Sequence, residues 1–331
     1  MIVRLGYVAM SMLVANASPS KTMTATTFAK LENREAAIRK LERTAVDNIN
    51  NTLRLLKHNR AYDIQLYRCS SKLIPLLGHE MLEGWDPMPV LQDAFAELGQ
   101  YARLHKMRIS FHPDHFTVLS TPREEVLRNS LLDLDRHVTM LEAMGLDESA
   151  KCNIHIGGAY GNKETARARF VERFRNLPER IQRRLTLEND DKTFTALETL
   201  TVCEDVRAPM VLDIHHHQVN HSEDELAEED IAVLWPRIMH TWEGQKEQDS
   251  ERHLPPKIHV SSPKNDKDVR SHADFIDAAV LMQFLRSVAP MTPKLDIMIE
   301  AKRKDEALIQ LMKDVSEERD VNVLGQASFE L

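Results

Sequence analysis

Short apolar runs recur along this chain between helical patterns, and most of them stop at a His, Asp or Glu. The clearest are RISFHPDHF (108–116), KCNIHIGG (151–158), LTLENDD (185–191), MVLDIHHH (210–217), KIHVSS (257–262) and LDIMIEAK (295–302). Strand-like runs fall at about 2–8, 63–67, 107–111, 152–156, 185–188, 210–214, 257–261 and 295–300. Patterns of period near 3.6 fill the intervals, near 34–58, 89–105, 123–144, 162–176, 193–206, 225–246, 274–288 and 304–314. Pro87 and Pro89, Thr121-Pro122, and Ser222 ahead of Glu225 mark helix starts. Such an alternation predicts an α/β fold, a single (β/α)8 TIM barrel over residues 1–315. Residues 316–331 lack periodicity and read as a tail that frays.

A closed parallel barrel opens all its strand C-termini onto one face. That geometry would gather His112, His155, Glu188, Asp213, His216, His259 and Glu300. Imidazoles mixed with carboxylates suit a cluster of divalent metals. Glu188 and Glu300 follow apolar neighbours, and a buried carboxylate needs a metal or an ion pair with an arginine or a lysine such as Lys302. Asp213 and His216 are three apart, a spacing that a turn leaving a strand can close. His215 and His217 read as supporting or exposed residues.

Lys257 and His259 are two apart on one strand and so share a face. A cationic lysine beside dications would be repelled, which calls for deprotonation, a carboxylate partner or carboxylation. The competing reading is a lysine whose amine snorkels to the barrel mouth.

Bulk properties exclude some classes. A net charge of −8 does not advertise a nucleic-acid protein, although bound dications would make one face locally positive. Cys69, Cys152 and Cys203 are scattered, with no disulfide framework and no zinc spacing, which fits a reducing cytoplasm. Arg4, the stretch Leu5–Ala15 and Ala15-Asn16-Ala17 imitate a secretion signal, but the barrel needs Ile2–Val8 as its first strand. No run reaches the roughly 18 apolar residues of a membrane span.

The loops after the first two strands are long, about 9–33 and 68–88, and hold Arg68, Lys72, His79 and Trp85. After His112 comes Pro113-Asp114-His115-Phe116, where a polar and an aromatic side chain could wedge into a base stack. Phe116 could equally pack beneath its own loop. The basic runs Lys264–Arg270 and Lys302–Lys304 could meet phosphates or simply face solvent. Gly157-Gly158 alone is a weak phosphate signal.

The ordered set RLGY (4–7), LYRCSSKLIPLLGH (66–79), SFHP (110–113), NIHIGG (153–158), LEND (187–190), DIHHH (213–217), KIHVSS (257–262), SHAD (271–274) and IEAK (299–302) resembles the UV damage endonuclease family. Each tetrapeptide alone is weak; the set spans about residues 2–302 and is specific. The family is similar to endonuclease IV in its barrel and three-metal site. The resemblance implies a DNA repair enzyme that nicks double-stranded DNA 5′ to cyclobutane dimers and 6-4 photoproducts. It implies about three divalent ions, Mn2+ before Mg2+, Zn2+ or Co2+. His112, His155, Glu188, Asp213, His216, His259, His272 and Glu300 would be ligands, with Glu188 bridging. Lys257 matches the family's carboxylated lysine, and His79 would lie near the scissile phosphate. Tyr7 and the pair His115-Phe116 would probe the lesion. The family pair is Gln-Tyr, so this chain loses a phenol there and its lesion range is open. The implied setting is the cytoplasm, on the nucleoid, with no membrane and no obligate protein partner.

Two rival classes remain on the residues alone. One is a metal-dependent sugar isomerase or epimerase on the same barrel, with a closed pocket and fewer metals. The other is a damage-binding protein without turnover, against which the full set of costly ligands argues.

Overall fold

Side-chain alternation along the first strand shows how the barrel is built. In the computed structural model, which describes residues 1–221 and 230–331, β1 is Ile2–Val8. Val3, Leu5 and Tyr7 are fully buried in the main core, shared with residues such as Ile49 and Leu56 of α2 (Arg34–Ala61). Arg4, between them, turns inward and meets Asp296 at 2.7 Å. Strands of period two thus split each run between the helix layer and the barrel interior.

Parallel pairing then runs in chain order through β2 (Leu66–Arg68), β3 (Arg108–Phe111), β4 (Lys151–His155), β5 (Leu185–Glu188), β6 (Met210–Asp213) and β7 (Lys257–Val260). A short antiparallel hairpin follows, β8 (Pro263–Asn265) and β9 (Asp268–His272). The circle closes through β10 (Lys294–Ile299), which pairs with β1 from Ile2↔Lys294 to Tyr7↔Ile299. The expected TIM barrel is therefore present.

Helices cover the outside. They are α1 (Ala25–Ala29), α2, α3 (Met88–Leu104), α4 (Glu124–Ala143), α5 (Lys163–Arg175), α6 (Glu179–Gln182) and α7 (Ala196–Val206). Then come α8 (Ile214–Val219), α9 (Ile231–Thr241), α10 (Ala278–Val288) and α11 (Lys304–Ser316). Local chemistry sets their starts. Asn33 caps α2 through Ala36 N–H, and Thr195 with Glu198 forms a full capping box on α7. The expected helix start at Ser222 and Glu225 lies outside the described residues. No described helix is long and apolar enough to cross a membrane.

The tail corrects the expectation of fraying. Beyond α11, β11 (Asn322–Gly325) and β12 (Ser328–Glu330) form a hairpin, and β12 pairs antiparallel with the start of β1. Phe329 is fully buried there. Strands of three and four residues are too short to show a period, and the partner lies at the opposite end of the sequence.

The barrel floor is charged. Asp296 accepts from Arg4 and, at 2.6 Å, from Arg108, although the strands that carry these arginines are not neighbours. Burial disfavours the Asp296 anion, but the two guanidiniums outweigh it and hold the carboxyl below its usual range.

Candidate metal centre at the barrel mouth

Each ligand candidate sits at or just past a strand end. His155 and Glu188 are register partners on β4 and β5, and Asp213 and His259 are partners on β6 and β7. His112 follows β3 and Glu300 follows β10. Asp213 ends its strand and caps α8, accepting the His216 N–H at 2.7 Å. That strand-to-helix switch is how a spacing of three brings Asp213 and His216 to one centre.

Three groupings result, each with ligand atoms within 4.8 Å of one another: His112–His155–Glu188, Glu188–His259–Glu300, and Glu188–Asp213–His216. Glu188 belongs to all three. Its side chain is buried, and it accepts a hydrogen bond from Asn153, which in turn accepts from Thr186 at 2.7 Å. Burial opposes ionisation of Glu188, but His259, His155 and His112 together hold its carboxyl well below the usual range.

Four histidines are oriented by main-chain carbonyls. Nδ1 donates to Pro113 O from His112 (2.9 Å), to Glu188 O from His155 (3.3 Å), to Asn189 O from His216 (2.9 Å) and to Glu300 O from His272 (2.8 Å). A carbonyl can only accept, so in the neutral ring the proton sits on Nδ1 and Nε2 keeps a lone pair, the tautomer a metal needs.

The donor set fits cations on a second ground. His259 is fully buried, with Nδ1 3.1 Å from Glu188 and 3.0 Å from Glu300. Yet neither of its ring nitrogens, nor Asp213 Oδ2, makes a directed hydrogen bond. Burial opposes the charge of His259, but Glu188 and Glu300 outweigh it and raise the imidazole, so the ring sits between two carboxylates where a cation could take its place. Burial raises the Asp213 carboxyl, with Glu188 and Glu300 adding to the shift against His216. His216 is pushed up to about 9: burial opposes its charge, but Asp213 and Glu188 outweigh it. The rise at His216, and the smaller part of that at Asp213, reflect neighbouring carboxylates whose charge dications would neutralise.

Lys257 does not snorkel. It is 2% exposed, one layer below His259, and burial followed by repulsion from Arg108 and Arg68 lowers its amine to about 7. Its register partner Asp296 is already engaged by the two arginines. Glu300 has a cation, the arginine of the two alternatives: Arg68 of β2, not Lys302.

Other expected residues divide. His115 and Phe116 stand in solvent with rings 4.0 Å apart; Phe116 is 73% exposed, so it does not pack beneath its loop. Asp114 holds this turn through Phe116 N–H (3.1 Å) and Thr117 N–H (2.8 Å). The pair borders a cleft of about 950 Å3 that also reaches His112, His155 and His216. His272 stands beside Glu300 and His215 but outside the three groupings. His79 caps a short turn, its Nδ1 accepting from Met81 N–H at 3.2 Å, and lies outside them too. His215 is supporting, its ring held by Ser261 (2.6 Å) and Val269 O (2.5 Å). In the basic runs, Lys264 faces Asp268 (3.6 Å) and Arg270 faces Asp191 (3.8 Å), so part of their charge is spent locally. Gly157 takes φ +105 and packs against Ser120 and Val118, so it serves a tight turn.

Tyr7 is a correction. It is fully buried, its hydroxyl donates to Asn59 at 2.7 Å, and its ring meets Tyr67 edge-on at 5.5 Å. The strand alternation that turns Arg4 inward sends Tyr7 toward the helix layer, where Asn59 and Tyr67 engage its hydroxyl and ring. Asn153 was missed in the sequence, though the logic that paired Lys257 with His259 would have paired it with His155.

Fold and site together define a class: (β/α)8-barrel proteins with a histidine–carboxylate constellation at the C-terminal mouth. The family model described as UV-endonuclease UvdE matches residues 3–331. The chain is 44% identical over 331 residues to the UV DNA damage endonuclease of Halalkalibacterium halodurans, covering 100% of this chain and 99% of that one. The crystal structure of SacUVDE superposes with a TM-score of 0.80 at 26% identity, covering 95% of this chain and 98% of that one. Endonuclease IV from Thermus thermophilus, at 14% identity and a TM-score of 0.53 over 81% of this chain and 94% of its own, shares the fold. The chain belongs to the UV-endonuclease UvdE family.

Proposed function

We propose that this chain is a DNA repair endonuclease that hydrolyses the phosphodiester 5′ to UV photoproducts in a multi-metal site. The observation that carries the reading is the membership of Glu188 in all three ligand groupings. Divalent ions, manganese first, would supply Lewis-acid charge to the phosphate and acidify water. His112, His155, Glu188, Asp213, His216, His259 and Glu300 would hold about three of them, with His272 joining from β9. Asn153 fixes the Glu188 carboxylate, and main-chain carbonyls fix the imidazole tautomers. Arg68 beside Glu300 tempers the acidic charge where the phosphate must approach.

Lys257 in this reading is uncharged or carboxylated, since an ammonium beside dications would repel them. His79 serves the scissile phosphate. The exposed pair His115-Phe116 probes stacking beside the site, and a photoproduct is favoured because its stacking is already weakened. Products are a 3′-hydroxyl and a 5′-phosphate. The setting is the cytoplasm: the cysteines are all free.

Nicking of ultraviolet-irradiated supercoiled plasmid tests this reading. Activity should vanish with chelator and return with manganese. Nicking that chelator leaves untouched overturns the multi-metal reading, and equal nicking of unirradiated plasmid overturns the lesion reading.

A further inference from the structure

The loop that leaves β1 holds three large apolar side chains in water. Met10, Met12 and Leu13 are 38, 46 and 47% exposed. Single exposed apolar residues are ordinary, but three within four positions on one loop are not.

This loop is tied down. Asp305, fully buried at the start of α11, accepts the Met12 N–H at 2.7 Å through Oδ1 and the Ser11 hydroxyl through Oδ2. His58 of α2 places Nε2 3.2 Å from the same Oδ2. Ser11 Oγ also accepts from Leu13 N–H (3.1 Å) and Val14 N–H (2.9 Å), which folds the tip into a turn. At the loop's root, Ala9 N–H donates to Arg68 O at 2.8 Å, and Ala9 O accepts from the Tyr67 hydroxyl at 2.5 Å. Ala9 lies at φ +56, a left-handed conformation that a Cβ disfavours and that turns the chain out of its strand.

Both anchors adjoin the metal centre. Arg68 pairs with Glu300, and Asp305 follows Glu300 by five residues. The apolar tip is therefore held rigidly on the mouth of the barrel, two strands round from Phe116.

We propose that Met12 and Leu13 form a second wedge, which enters the base stack of a lesion-bearing duplex alongside the probe at His115-Phe116. This rests on the DNA endonuclease reading above. The occupant is DNA because the loop leaves the C-terminal end of β1, on the barrel face that carries the ligands and where that substrate would be cut. The apolar surface that a polyanionic duplex offers is its stacked bases, and Met and Leu, neither branched at Cβ, are side chains that insert there. Two wedges would hold open the distorted step while the phosphate is drawn to the ligands.

The test uses the full chain and a Met12→Ser/Leu13→Ser variant. Substrates are a lesion duplex, the same duplex with unpaired bases flanking the lesion, and undamaged DNA. Binding and nicking of the paired lesion duplex should fall about tenfold, with recovery on the unpaired substrate, where opening is already done. A 2-aminopurine reporter beside the lesion should brighten with the parent chain and stay dim with the variant. An unchanged reporter, an equal loss on all three substrates, or loss of a dimer in the variant by light scattering would overturn the wedge. If the parent chain itself ignores lesions, the endonuclease reading falls first and the wedge with it.

Discussion

His259 Nδ1 lies 3.1 Å from a carboxylate oxygen of Glu188, across the barrel mouth from β7 to β5, without an aligned hydrogen bond. Two buried groups are thus held close, charge against charge when His259 is protonated, with no aligned hydrogen bond between them. Their shared neighbour is a position for a cation, and Glu188 offers such positions on three sides.

Glu188→Gln keeps the shape and removes the charge. Nicking of irradiated DNA should fall by more than roughly a hundredfold, beyond the usual loss from an outer-sphere partner. Bound metal, read by elemental analysis, should fall with it. Normal nicking by this variant would refute the cluster assignment.

Lys257 should be carboxylated or neutral. Intact mass under bicarbonate-preserving conditions should show one added carbon dioxide, and high-resolution density should show a branched end beside the ligands. An ordinary extended ammonium would contradict the assignment.

Phe116→Ala should weaken binding to lesion duplex about tenfold and leave undamaged duplex nearly unchanged, because stacking acts only where bases are opened. Affinity for both duplexes should fall with salt through phosphate contacts, with the Phe116 contribution insensitive to it. Titrations at two salt concentrations separate these effects, and an equal loss on both duplexes would mean that Phe116 only shapes its loop.

Tyr7→Phe should act on stability rather than recognition. It strands the buried Asn59 Oδ1, which costs about 1 kcal/mol, and leaves the ratio of lesion to undamaged binding unchanged. A shifted ratio with unaltered stability would restore Tyr7 as a probe.

Lys151 supplies a pH dependence away from the metals. Burial, then Arg108 among its neighbours, lowers its amine to about 7. Between pH 7 and 9 the unfolded chain keeps that proton and the folded chain releases it, so stability rises with pH. Hydrogen bonds to Arg183 O and Gln245 Oε1, both 2.6 Å, favour the ammonium and shrink the effect. We expect Lys151 to contribute a gain of about 1–2 kcal/mol, read as the difference between the parent chain and Lys151→Met, since Lys257 and His216 titrate in the same window with opposite signs. Above pH 9 the buried Cys69 and Cys152 thiols, raised by burial, act the other way, so urea melts at pH 7 and 9 are the clean comparison.

Much of this was legible in the sequence. Eight short apolar runs alternating with stretches of period 3.6 point to an α/β barrel, because that architecture buries both patterns. Parallel closure then puts every run's last polar residue on one face, which is why His112, His155, Glu188, Asp213, His259 and Glu300 were found from position alone. Tertiary structure decided what depends on partners distant in the chain. The resemblance put Tyr7 at the lesion. Periodicity, which gives a strand's two faces but not which is inside, could not show that the Tyr7 hydroxyl meets Asn59 of α2. It cannot say which cation meets a buried acid, and Arg68 rather than Lys302 meets Glu300. Nor does it reveal a strand whose partner is more than 300 residues away, as β12 is from β1. Each is a long-range pairing, and its free energy exists only once the barrel has closed.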